Sequence, residues 1–344
     1  MIYVCFAVSP LHLICIKELA NLHKNDTFVI YCFLYSRNNM VYDQIIKTIK
    51  LLNLDNVSEV LMPKNNIMGT FKRLAFAYSI LNKYKSQRST FVIFDFRNTF
   101  LHSLRRLFID SRFILIDDGF ATYESYHLFI KKSYYLPFSQ YKGFQGNINK
   151  FIHFGLQYNY LLNKKIDIFT IYARELKLSK DSFNDLGFLR EQLEGISPNY
   201  SDKLVFFAGS RFAEKDILTI EEEIAVIEKI YHYWLEKGKE MIYIGKRVEK
   251  GKISEKKIKS IEEKSIPVLF FDLPLELALI ETKPQEMPTI ICSFGSTLNK
   301  TLPMIYKEID AYVVESDYIT KKLSNCYTGN VKDSKIEVKK YFLQ

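Results

Sequence analysis

A chain of 344 residues, 48% hydrophobic and 25% charged, has an ordinary globular make-up with room for about two domains. Its formal charge of +9 suits an anionic partner, but the lysines are scattered rather than gathered in one arm, which argues against nucleic acid. The 27 Phe and 23 Tyr against one Trp suit polar–apolar clefts such as sugar sites, and equally a composition biased toward Ile, Lys, Asn, Phe and Tyr.

The first half alternates short apolar runs with amphipathic ones. Strands are predicted over Ile2–Val8, Thr27–Leu34, Val57–Met62, Thr90–Phe94 and Phe113–Ile116. Helices are predicted over Pro10–Leu22, Val41–Leu52, Phe71–Tyr84 and Leu101–Ile109. The last of these strands runs into Asp117-Asp118-Gly119. From about Phe120 to Tyr200 the rhythm breaks into a stretch rich in Tyr, Phe, Lys and Asn, where loops and short helices are expected, with Phe169–Tyr172 as one more strand.

The alternation then restarts. Lys203–Phe207 reads as a strand followed by the loop Ala208–Lys215. Thr219 and Glu222 form a capping box, and Gly238 stands where that helix should stop. Met241–Ile244, Val268–Phe271, Thr289–Ser293 and Ala311–Val314 follow as strands, with helices over Ser254–Glu263, Pro274–Glu281 and after Thr297. Strands alternating with helices imply parallel sheets covered on both faces. The fold expected is α/β: two Rossmann-like doubly wound domains facing a central cleft, the GT-B pattern.

Cys5, Cys15, Cys32, Cys292 and Cys326 are odd in number and form no CxxC pair, which fits a reducing cytoplasm and no disulfide framework or zinc site. Met1–Ile16 is apolar, but it lacks a basic n-region and is interrupted by Pro10 and His12, so it reads as a buried strand entering a helix. No stretch reaches the roughly 20 apolar residues of a membrane span, and any membrane contact is expected to be peripheral. Motifs of the GxxxxGK[ST], GxGxxG and GxSxG types are absent. His12, His23, His102, His127, His153 and His232 are scattered, and each reads as structural.

Acidic residues at the carboxyl end of a parallel strand point into the ligand crevice. Repulsion between Asp117 and Asp118 raises one of them toward use as a base, and Gly119 permits a sharp turn; solvated acids in a strand-end turn are the plain alternative. Three strand ends of the second half complement the pair: Gly245-Lys246-Arg247, Glu276, and Phe294-Gly295-Ser296-Thr297. Hydroxyls and free N–H groups at a helix start hold phosphate, a cation neutralises it, and an acid receives ribose hydroxyls. Each residue alone has a structural reading; their joint placement favours a site. No third ligand accompanies the acid pair, so no metal and no cofactor are expected.

Several ordered stretches carry a resemblance to the bacterial sialyltransferases of glycosyltransferase family 52, with features shared with bacterial polysialyltransferases. Ser9-Pro10-Leu11-His12 resembles the family's first-strand exit, usually Thr-Pro-Leu-Gln, and Ile116-Asp117-Asp118-Gly119 its acidic motif. Phe169–Tyr172, Leu204–Ala208 with its loop, Tyr243–Glu249, Pro274-Leu275-Glu276 and Ser293–Leu298 fall in matching order. The resemblance implies inverting, metal-independent transfer from CMP-sialic acid to a terminal hydroxyl, often of galactose, on a bacterial surface glycan or glycolipid. It implies Asp118 as base with Asp117 in support, Ser296 and Thr297 on the CMP phosphate, and Glu276 near the cytidine. Ser9, Pro10, Asn98 and Gly119 would flank the acceptor or donor sugar. It departs from the family where Lys246 stands in place of a histidine, which leaves a fixed cation to stabilise the leaving phosphate.

The domains expected are 1–175 on the acceptor side, a linker 176–199, a CMP-sugar-binding domain 200–325 and a tail 326–344. Location is expected to be cytoplasmic, with peripheral contact on the inner membrane face and a homodimer both left open. The Tyr-rich, Lys-rich stretch Tyr123–Tyr160 is the candidate acceptor or membrane-facing region, against the alternative of a folded subdomain with solvated lysines. Rival readings are a transferase using another CMP-nonulosonate or a UDP-hexose, a non-catalytic glycan- or membrane-binding module, and, least of all, a phosphorylated receiver domain.

Overall fold

The computed structural model describes residues 1–35, 40–63, 67–137, 143–194, 198–245, 252–281, 287–316, 319 and 336–341. It divides into two units, Met1–Phe188 and Leu189–Gln344.

Unit 1 runs β1 (Ile2–Ala7), α1 (Pro10–Leu22), β2 (Thr27–Leu34), α2 (Met40–Leu51), β3 (Val57–Leu61), α3 (Ile67–Tyr84), β4 (Ser89–Ile93), α4 (Thr99–Leu107) and β5 (Arg112–Ile116). A crossover of α5 (Phe120–Leu128), α6 (Gly143–Phe154) and α7 (Tyr158–Asn163) then leads to β6 (Asp167–Phe169). The six strands are all parallel, in the order β3-β2-β1-β4-β5-β6. Near-continuous apolar strands fit this burial on two faces: Val4, Phe6, Phe33, Phe91 and Leu115 are all buried. Much of the Phe content is spent here, with Phe33 edge-on to Phe76 and Phe94.

After α8 (Gly187–Leu193), unit 2 runs β7 (Tyr200–Ala208), α9 (Ile220–Glu236), β8 (Glu240–Ile244), α10 (Lys252–Glu263), β9 (Val268–Leu269) and α11 (Leu275–Glu281). It continues through β10 (Met287–Ser293), α12 (Leu298–Ile305), β11 (Asp310–Ser316) and β12 (Ile336–Tyr341). The sheet order is β12-β11-β10-β7-β8-β9. Counted from β7, this is the same 3-2-1-4-5-6 order as in unit 1, with β12 antiparallel at the edge. The chain is therefore α/β, with two Rossmann-like parallel-sheet domains in tandem, the GT-B pattern.

Local signals account for most of these elements. Ser9 caps α1 with Pro10 in its first turn, and the predicted capping box of Thr219 and Glu222 opens α9. Gly238 takes a positive φ of 69° just past the end of α9.

Three features depart from the expectation. β9 is two residues long rather than four, because Phe270 leaves the sheet to lie over Gly245: a Cβ on Gly245 would meet its ring at 2.2 Å. The strands do not end near Val314; β12 pairs with β11, helped by Lys339–Glu315 and Lys340–Asp310 ion pairs across the ladder. The β5–β6 crossover carries its own small core of Leu136, Phe154 and Leu161. Buried Arg105 of α4 clamps this crossover, donating to the carbonyls of Tyr135, Leu161 and Lys164. Burial holds its pKa down to about 9.

Candidate active site

In unit 1 the sheet changes winding direction between β1 and β4, and the carboxyl ends of β1, β4 and β5 lie side by side there. The exit of β1 sets up α1: the Ser9 hydroxyl accepts from the His12 N–H at 3.4 Å, and Pro10 needs no donor in the first turn. That turn carries His12 back over β4, where its ring stacks on Phe94 at 4.5 Å. His12 Nδ1 accepts from the Val8 N–H at 3.2 Å, which leaves the proton on Nε2, and Nε2 donates to Asp118 Oδ1 at 3.1 Å. The His12 side chain has no exposed surface, whereas that of Asp118 is 33% exposed. The Asp118 carboxylate therefore faces solvent, held from behind by the imidazole.

The two acids of the motif have different surroundings. Asp117 is buried and accepts from the Thr170 hydroxyl and the Ile171 N–H at 2.8 Å, so it ties the end of β5 to the turn after β6. It does not reach solvent beside Asp118, and its contacts are those of a structural tie. Gly119 has φ 65° and ψ −146°, a region open in practice only to glycine, and it turns the chain so that the Asp118 N–H meets Thr122 Oγ1 at 2.8 Å. Asn98 caps α4, its side chain accepting from the Leu101 N–H at 3.3 Å.

Unit 2 has the matching change of direction between β7 and β10, and a cavity of about 200 Å³ lies there. Phe294, Gly295 and Ser296 line one side; Gly209, Ser210, Arg211 and Lys215 of the loop after β7 line the other. Arg211 Nε is buried and meets no hydrogen-bond partner among the described residues. Two cations, Arg211 and Lys215, thus share one small cavity with Ser210 and Ser296.

The loop after β7 stands on a buried charge network. Lys257 of α10 is fully buried, reaching Glu214 at 2.8 Å, Glu223 at 3.5 Å and the Ser210 carbonyl at 2.8 Å. Glu223 also accepts from the Ser210 hydroxyl at 2.6 Å and the Ala213 N–H at 2.7 Å. Burial raises the Glu223 pKa. Burial also pushes Glu214 up, but Lys257 and its other hydrogen bonds outweigh that and hold it below its ordinary value. Gly209 is dictated by space: a Cβ would meet the Tyr243 hydroxyl at 2.4 Å.

Other predicted residues have local tasks. The Ser293 hydroxyl accepts from the N–H groups of Gly295 and Ser296, at 3.1 and 2.7 Å, so those two donors face their own loop. Ser296 Oγ accepts from the Leu298 N–H at 3.3 Å, and Thr297 precedes α12 with a helical backbone. Glu276 is buried and accepts from the Thr301 hydroxyl at 3.0 Å, joining α11 to α12. Gly245 donates to the Leu269 carbonyl at 2.9 Å under Phe270. Lys246 and Arg247 lie outside the described residues. Sequence reasoning set His12 aside as structural and gave Ser210, Arg211, Lys215 and Lys257 no role. The Ser-Arg pair after a strand and the His in a first helical turn were the available signals.

Among the described residues, no cluster of three or more His, Cys, Asp or Glu side chains is placed to hold a metal ion, and no helix is long and apolar enough to cross a membrane.

No family model and no curated protein sequence matches this chain. Among solved structures, UDP-GlcNAc 2-epimerase from Methanocaldococcus jannaschii is similar at 12% identity and TM-score 0.48, over 90% of this chain and 82% of that one. S. aureus MnaA with UDP is similar at 10% identity and TM-score 0.48, over 88% and 77%. MurG of Acinetobacter baumannii is similar at 8% identity and TM-score 0.38, over 88% and 76%. At these scores no residue role is carried across.

Proposed function

We propose that this chain is a nucleotide-sugar-dependent glycosyltransferase in which Asp118 activates the acceptor hydroxyl, and that its donor is CMP-sialic acid or a related CMP-linked sugar. The observation that carries the reading is the half-open Asp118 carboxylate at a carboxyl edge, held by a buried imidazole whose two nitrogens are both engaged. His12 has no free lone pair to act as the base itself, so that task falls to Asp118.

In the reaction, Asp118 takes the proton of a sugar hydroxyl as its oxygen attacks the anomeric carbon of the donor. The bond from that carbon to the phosphate oxygen breaks, and CMP leaves with the electron pair. Arg211 and Lys215, with Lys246 and Arg247 as further proposed cations, offset the charge gathering on the leaving phosphate. The cavity in unit 2 supports a nucleotide phosphate. The choice of CMP and of sialic acid rests on the ordered sequence resemblance alone. A glycan or glycolipid of the bacterial surface is the proposed acceptor.

Thermal shifts with CMP, CMP-sialic acid, UDP and GDP test the donor. Stabilisation by CMP and CMP-sialic acid, reduced in Arg211→Ala, is expected. Stabilisation by UDP or GDP alone would overturn the CMP reading and keep the transferase; no shift with any of the four would remove both.

A further inference from the structure

Helices on a protein surface turn their apolar stripe inward, and α6 does the reverse. Gly146 and Phe154 face inward, and α6 packs against α4 and α7. Phe144, Ile148, Phe151 and Ile152, spaced four, three and one apart, all point out, with Phe144 83% and Phe151 67% exposed. Leu156, just beyond the helix, is 97% exposed. The segment that carries them is one-sided in charge. From residue 125 to residue 166 the chain has six lysines (131, 132, 142, 150, 164 and 165) and no acidic residue, so this stretch alone carries +6 of the chain's formal +9. Lys131 and Lys132 are exposed in the short turn after α5, and Arg106 reaches the Ile152 carbonyl from α4.

We infer that the outward face of α6, with Leu156 and the lysines of the same segment, is a docking surface for an anionic lipid membrane. Exposed aliphatic and aromatic side chains in a lysine-rich segment are what an interfacial helix presents to the headgroup and acyl boundary. A second copy of the chain on the same face would bring its lysines against identical lysines, which opposes a self-pairing contact. Three of the five exposed apolar side chains, Ile148, Ile152 and Leu156, are aliphatic and suit acyl chains rather than stacked bases. Arg105 and the small core of Leu136, Phe154 and Leu161 fix this face from beneath, so it is presented as a folded platform. Membrane binding of this kind needs no donor and stands whether or not the transfer reaction does.

Co-sedimentation of the full chain with phosphatidylcholine vesicles, with and without phosphatidylglycerol, tests this. Binding is expected with phosphatidylglycerol, weakening with added salt, and falling by about tenfold or more in Phe144→Ser/Phe151→Ser. Both residues lie outside the core, and an unchanged unfolding transition confirms that the variant folds. Replacing Lys131 and Lys132 by Gln is expected to flatten the salt dependence. Absence of binding to anionic vesicles at low salt overturns the inference, as does equal binding by the double variant. A concentration-dependent dimer in lipid-free buffer that the same substitutions abolish would assign the face to a second copy instead.

Discussion

The two sheets have the same strand order and carry opposite chemistry at their carboxyl edges. Where unit 1 changes winding direction it presents a carboxylate backed by an imidazole; where unit 2 does so it presents two cations, hydroxyls and glycine backbone. One scaffold thus supplies an electron-rich edge and an electron-poor one, and the difference lies in a few residues at strand ends. An acceptor hydroxyl needs the first and a leaving phosphate the second. If that division is right, damage to each edge changes a different measured quantity.

The largest effect is expected from Asp118→Asn, which keeps the shape and the bond to His12 but removes the base. Turnover should fall roughly 10³-fold, about 4 kcal/mol in the barrier, with donor-induced thermal stabilisation unchanged. Loss of donor binding together with turnover would erase the distinction between the edges.

Stability separates the units next. Each unit holds a buried cation, but Arg105 in unit 1 donates to carbonyls of the β5–β6 crossover, whereas Lys257 in unit 2 faces two carboxylates. Lys257→Met leaves Glu214 and Glu223 buried beside each other without their cation and should cost unit 2 about 3 kcal/mol or more in urea unfolding. The loop bearing Ser210 and Arg211 should loosen with it, weakening nucleotide binding. An unchanged midpoint would mean that the network contributes nothing net.

Smaller effects sharpen the roles. Arg211→Ala should weaken nucleotide binding by roughly tenfold, about 1.4 kcal/mol, seen by calorimetry, and should also slow turnover at saturating donor, because the leaving phosphate loses a cation. His12→Phe frees the Asp118 carboxylate to rotate and should lower kcat by a few-fold to about tenfold with little change in KM. His12→Gln, which can still donate to Asp118, should restore most of it. A purely structural His12 would show equal loss in both variants.

What the sequence made legible was local. The capping box at Thr219 and Glu222, the Ser9-Pro10 start of α1 and the alternation of apolar strands with helices are all written within a few residues. Asp118 was found because a carboxylate after an apolar strand is a short-range pattern. The bond that orients it joins residues 106 apart, and the bond from Lys257 to Ser210 joins residues 47 apart. In the run Lys252–Glu263, one buried lysine looks like its solvated neighbours. β12 escaped for a related reason: an edge strand with Lys339 and Lys340 has no continuous apolar run. The outward face of α6 was visible only as a mixture of Lys, Tyr and Phe until the helix fixed which side chains share a side.

The two units also respond differently to acid. His102 is buried with Nε2 donating to the Phe96 carbonyl at 2.6 Å and Nδ1 facing Arg105 at 3.5 Å, so burial first and then the guanidinium lower its pKa from 6.5 to about 3. Between those values the unfolded chain binds a proton that the folded chain refuses, so unit 1 loses stability as pH falls from about 6.5. The steepest loss from this one group is about 1.4 kcal/mol per pH unit. Unit 2 runs the other way at first. The Glu223 carboxyl is raised above 4.5, so the folded state gains a proton before the unfolded one as pH falls toward 4.5, and stability is held or improved there. Glu214 is lowered, and its contribution is lost only below 4.5. Urea melts at pH 7, 6 and 5, followed by probes specific to each unit, should show unit 1 weakening first, and His102→Gln should flatten its slope. Equal acid sensitivity in both units would show that His102 and the Lys257 network do not set the pH response.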